Sequence, residues 1–109
     1  MVDSKGDLDS MAGAEALSAL CRRFHVRRLD LFGSGASGRF DPARSDLDFL
    51  VEFERLKPVD YADAFFGLRE GLAALFGRPV DLLTEASLTN PYFRDRVMSE
   101  RRTLFLDAQ

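Results

Sequence analysis

Leu31-Phe32-Gly33-Ser34-Gly35-Ala36-Ser37-Gly38, followed after a polar connection by Asp46-Leu47-Asp48-Phe49-Leu50-Val51, is the stretch whose reading decides the fold. Eleven residues separate Ser34 from Asp46. Residues 28 to 32 read as a short strand, and the small residues after it let backbone amides approach an anion where the next helix begins. Residues 46 to 53 read as a second strand, whose two-residue period puts the Asp46 and Asp48 carboxylates on one face. Side-by-side carboxylates repel unless cations bridge them, and charges inside an otherwise apolar strand need a partner. Magnesium favours oxygen ligands of this kind and completes its octahedron with substrate phosphates and water. A phosphate-binding turn joined to a divalent-metal site implies a nucleoside triphosphate as substrate.

The flanking sequence supplies elements to support that pair of strands. Ala14, Leu17, Cys21 and Phe24 recur at helical steps, so residues 11 to 24 read as an amphipathic helix covering one sheet face. Cys21, the single cysteine, falls on its apolar stripe and is expected to act as a small core hydrophobe. His25 falls at the helix's C-terminal end, where an imidazole is favourable. The first strand then covers about 27 to 32, a turn and short helix about 33 to 38, and Asp41-Pro42 marks a loop into the second strand.

Residues 58 to 76 read as the longest helix, with Asp60 and Asp63 towards its positive end and Tyr61, Phe65, Leu68, Leu72 and Phe76 at helical spacing. Gly67 and Gly71 each lose something like 1 kcal/mol against alanine, which implies close packing against another surface. Phe66 and Leu75 lie off the stripe, so this helix is either covered on two sides or faces a partner. Gly77 ends it, and residues 80 to 84 give a third strand. A strand, helix, strand path from 46 to 84 predicts a right-handed crossover between parallel strands. Asn90 as N-cap with Pro91 in the first turn opens a last helix to about Glu100, and residues 103 to 106 can add an edge strand.

Composition narrows the function. With 109 residues the chain is one domain, 46% hydrophobic and 30% charged, as in an ordinary globular protein. No apolar run approaches the ~20 residues that span a bilayer, and the N-terminus lacks the features of a signal peptide, so a cytoplasmic protein is expected. A net charge of -3 gives no general attraction to nucleic acid and argues against a template-directed polymerase. Arg94, Arg96, Arg101 and Arg102 alternate with Asp95 and Glu100, which reads as a solvated helix face.

Taken together, these residues closely resemble the minimal nucleotidyltransferases of the DNA polymerase beta superfamily, whose pattern is hydrophobic, Gly, Gly or Ser, a spacer of about ten, then Asp, hydrophobic, Asp or Glu, hydrophobic. The match stands here as Phe32-Gly33-Ser34 and Asp46-Leu47-Asp48-Phe49, and the similarity runs from roughly residue 12 to 106, including the Asn90-Pro91-Tyr92-Phe93 ending. It implies an α/β (α+β) fold, a small mixed sheet covered by helices, with residues 1–10 a loose tail and 11–109 a single nucleotidyltransferase domain. The family uses a third carboxylate on a later strand, and Asp81 in Val80-Asp81-Leu82 matches it. One departure is plain: many relatives carry arginines within the turn, where this chain has Gly35 and Ser37, and Arg39 and Arg44 are the nearby substitutes.

The resemblance implies AMP transfer from ATP to a protein hydroxyl. Asp46, Asp48 and Asp81 would hold two magnesium ions, and Gly33, Ser34, Arg39 and Arg44 would bind the nucleotide. It also points to the antitoxin of a toxin-antitoxin module, with a HEPN-domain toxin as the partner whose tyrosine is modified. The alternative is a non-catalytic nucleotide-binding module that neutralises or regulates a HEPN partner by complex formation. A drug-modifying enzyme is less consistent, since no domain is left to hold an aminoglycoside.

Overall fold

The computed structural model describes residues 11–33 and 46–107. Helix α1 (Met11–Arg23) is followed by strands β1 (Val26–Phe32) and β2 (Leu47–Phe53), helix α2 (Pro58–Phe76), strand β3 (Val80–Thr84), a 3-10 turn (Glu85–Ser87), helix α3 (Pro91–Glu100) and strand β4 (Arg102–Leu106). The expected elements among these residues are all present to within a residue or two, and only the 3-10 turn was not anticipated. Of the turn and short helix expected at 33 to 38 only Gly33 is among the described residues, and the tail at 1 to 10 lies outside them.

The four strands form one mixed sheet in the order β3-β2-β1-β4. β1 runs antiparallel to both β2 and β4, and β2 and β3 are parallel neighbours joined through α2. β4 is an edge strand, as its sequence suggested.

Alternation along each strand separates two apolar layers. Leu29 and Leu31 of β1, Leu47, Phe49 and Val51 of β2, Leu82 of β3 and Phe105 of β4 join Leu17 and Cys21 of α1 and Leu68 and Leu72 of α2 in the larger one. The opposite face carries Phe32 and Leu50, covered by Leu88 and by Val97 of α3. Cys21 is fully buried, which pushes its thiol up to about 12 despite the neighbouring Arg22. It is a core hydrophobe.

The glycines of α2 have the packing reason their positions implied. A Cβ on Gly67 would overlap the Phe24 ring, and one on Gly71 would overlap the Leu20 side chain, so α1 lies directly against this glycine stripe. Phe66 is 56% exposed and takes the Arg69 guanidinium over its ring, whereas Leu75 packs on the core. Gly77 ends α2 in the left-handed region at φ 69. His25 ends α1 in the same region at φ 60, where its carbonyl accepts from the Glu54 amide. There it serves as a helix terminus.

Candidate active site

The site is built on the face of the sheet opposite α1 and α2. Period two along β2 aims Asp48 to the same side as Leu50, and the parallel register sets Asp48 directly beside Asp81 of β3. On its other flank Asp48 pairs with Phe32 of β1. The residue after Phe32 is Gly33, with φ +73, and a Cβ there would come within 2.6 Å of Asp48 Oδ2. Glycine is required twice over, by the left-handed backbone and by the carboxylate beside it.

Asp48 is half-buried, and its carboxyl is pushed up to about 6, first by burial and then by the Asp81 charge, a hydrogen bond with Asp81 and the Asp46 charge. A proton between Asp48 and Asp81 relieves the repulsion that a cation would otherwise relieve. Asp46 is exposed and sits one residue before β2 begins. Among the described residues no three acidic, histidine or cysteine side chains lie close enough to hold an ion as they stand. The donor set nonetheless suits magnesium: the groups are hard oxygens, Asp48 and Asp81 are in hydrogen-bond contact, and Asp46 is near enough to act on Asp48. The first two are brought together by the sheet. The third is brought near but not into the cluster.

A cavity of about 320 Å³ opens at this pair. Its lining comprises Phe32 and Gly33 of the β1 end, Asp48, Asp81, Leu83, and one face of α3 made by Phe93, Arg96, Val97 and Glu100. Volumes of this order hold small ligands. Asn90 fixes α3 by accepting hydrogen bonds from the Tyr92 and Phe93 amides at 2.9 and 3.1 Å. Phe93 meets Phe32 edge to face, with ring centres 6.2 Å apart. Ser34, Arg39 and Arg44 lie outside the described residues.

Two features of this face were not read from the sequence. Asp30, only 1% exposed, receives Arg28 Nε on both carboxylate oxygens at 3.1 Å and has Arg101 Nη1 at 3.5 Å. The basic residues at 94 to 102 are therefore more than the solvated face expected of them. Arg101 ties the end of α3 to the centre of the sheet, Arg94 pairs with Glu85, and Arg96 lines the cavity. A charge set within Leu29-Asp30-Leu31 was the available signal, of the same kind that singled out Asp48.

Comparison with known proteins agrees with this fold. Residues 14–104 match the family described as nucleotidyltransferase domain. The chain belongs to that family. It is 33% identical over 75 residues to a proposed protein adenylyltransferase of Methanocaldococcus jannaschii, covering 69% of this chain and 73% of that one. It is also 41% identical over 69 residues to the protein adenylyltransferase MntA of Thermococcus cleftensis, covering 63% and 66%. Among solved structures, a proposed minimal nucleotidyltransferase superimposes with a TM-score of 0.62 at 35% identity, over 87% of this chain and 93% of that one. The same fold, at 18% identity and a TM-score of 0.58, occurs in a complex of a tri-AMPylated Shewanella oneidensis HEPN toxin with its MNT antitoxin, over 96% and 74% of the two chains. Among the described residues no helix is long and apolar enough to cross a membrane.

Proposed function

We propose that this protein transfers AMP from ATP to a hydroxyl group on a partner protein, a tyrosine of a cognate HEPN-domain toxin, and so acts as the antitoxin of a cytoplasmic toxin-antitoxin pair. The observation that carries the reading is the pairing of Asp48 with Asp81 across parallel strands, beside a left-handed glycine and at the floor of a cavity. The adenylyltransferase names of its relatives support the reaction, and the complex that shares its fold supports the partner.

Asp46, Asp48 and Asp81 would hold two magnesium ions, which when bound neutralise triphosphate charge and lower the acceptor's pKa. Asp48 must give up its shared proton for this, which its half-buried carboxyl does near neutral pH. Gly33 leaves room for the phosphates beside Asp48, and Ser34, Arg39 and Arg44 would hold the β and γ phosphates. The acceptor oxygen attacks the α-phosphorus, and the bond to the β-phosphate oxygen breaks as pyrophosphate departs. Asp81, exposed at the cavity floor, takes the hydroxyl proton.

The intact mass of the HEPN partner tests this after incubation with the protein, ATP and magnesium. A gain of one or more AMP units is expected, and it should vanish with Asp48→Asn. A second reading has its own observation: Gly35 and Ser37 replace the turn arginines of many relatives. On that reading the chain neutralises its partner by binding alone, and the partner's mass stays constant while its activity is still suppressed.

A further inference from the structure

The cavity's charge is uneven. Asp48 and Asp81 form its acidic floor and Glu100 stands on its wall, and among the described lining residues Arg96 is the one cation. A nucleoside triphosphate in this cavity needs positive charge on the protein side as well as any ions held by the carboxylates. Positions 35 and 37, glycine and serine, bring no charge of their own.

Arg96 is placed to move. Its side chain is 71% exposed, and its contact is a single Nε to Glu100 Oε2 bond of 3.3 Å within the same helix. Pairs with the basic residue N-terminal to the acidic one at this spacing are the weaker orientation, and exposed pairs of this kind stabilise little. A phosphate offers the guanidinium a planar, bidentate, charge-assisted contact that is stronger than this pair. The helix does not have to move to make the exchange. Phe93, Arg96, Val97 and Glu100 share one face of α3, with Val97 buried at its centre and Asn90 and Arg101 pinning the two ends.

We propose that Arg96 is a phosphate-binding residue for the nucleotide, held by Glu100 in the free protein and released to ATP on loading. This rests on the nucleotidyltransferase reading and adds to it a positive group from α3. Glu100 acts as a competitor for the guanidinium. Removing its charge frees Arg96, whereas removing Arg96 leaves Glu100 facing the phosphates.

Titration calorimetry with ATP and magnesium on the full chain tests this, with KM for ATP as a second readout. Arg96→Ala is expected to weaken ATP binding roughly ten- to a hundred-fold, the span of a charge-assisted hydrogen bond, with Arg96→Lys recovering part of the loss. Glu100→Gln is expected to tighten it by about two- to five-fold, a gain that a merely structural pair would not produce. Arg69→Ala, which removes an exposed arginine on α2 that contacts Phe66, should bind like the wild type. Wild-type affinity in a folded Arg96→Ala protein, or weaker binding by Glu100→Gln, overturns the assignment of Arg96. A wild-type protein that binds no ATP overturns it together with the nucleotide-transfer reading, so the two failures are told apart.

Discussion

Replacing Asp48 with asparagine separates what the site does for the reaction from what it does to the fold. The Asp48 carboxyl is raised from 3.8 to about 6 in the folded chain. Each unit of such a shift corresponds to 1.36 kcal/mol, so full ionisation would cost about 3 kcal/mol of stability if the group were fully enclosed. Solvent reaches it, and screening reduces this to roughly 1–2 kcal/mol. The sign follows from the direction. A group whose folded value lies above its unfolded one stabilises at pH below the unfolded value, and that contribution is lost as pH rises through about 6. Asparagine carries no charge at any pH, and its amide can donate to Asp81 as the protonated acid does. At pH 8 without metal, Asp48→Asn should therefore melt higher than wild type, by about 4–10 °C for a domain of this size. At pH 4 the two should melt together. Magnesium with ATP should stabilise the wild type only, and AMP transfer by the variant should be lost. Thermal melts at both pH values check the electrostatic reasoning, and a variant that melts no higher than wild type at pH 8 would refute it.

Three further outcomes follow from particular contacts. Gly33→Ala should lose about 1–2 kcal/mol in denaturant unfolding, because its φ of +73 is left-handed, and should lower turnover more than ten-fold as its Cβ displaces the Asp48 oxygen 2.6 Å away. His25→Gly should gain about 0.5–1 kcal/mol, since a side chain at φ 60 is strained and the αL helix end asks for glycine; an unchanged or lower melting point would contradict this. Arg28→Leu should lose roughly 2–4 kcal/mol in urea unfolding, because it leaves the buried Asp30 with only the longer Arg101 contact.

Much of this was legible in the residues, and where it was not the reason is physical. The two-residue period put Asp48 on the face turned to α3 because β2 buries its other face, Phe49 and Val51, against α1 and α2. A strand, helix, strand path made β2 and β3 legible as parallel neighbours, whereas the register that sets Asp81 beside Asp48 is seen only in the folded sheet. Helix caps at Asn90 and Gly77 were readable because their chemistry is local. Asp46 shows the limit, for the same period that aligned it with Asp48 holds only within the strand, and the strand starts one residue later. Asp30 and Arg101 lie far apart in the chain and meet only when β4 docks on β1. The cavity wall of Phe93, Arg96 and Glu100 likewise depends on how α3 lies across the sheet, which no spacing within α3 records.

The pairing of β4 with β1 also orders events during synthesis. Arg28 donates to Thr103 across 75 positions, and β1 presents an unpaired edge until β4 has emerged from the ribosome. Synthesis must pass β4 before the sheet can close and Asp30 can acquire its second arginine. A chain without β4 would expose a central, largely apolar strand as a template for aggregation, so the docking of β4 is the step that protects it.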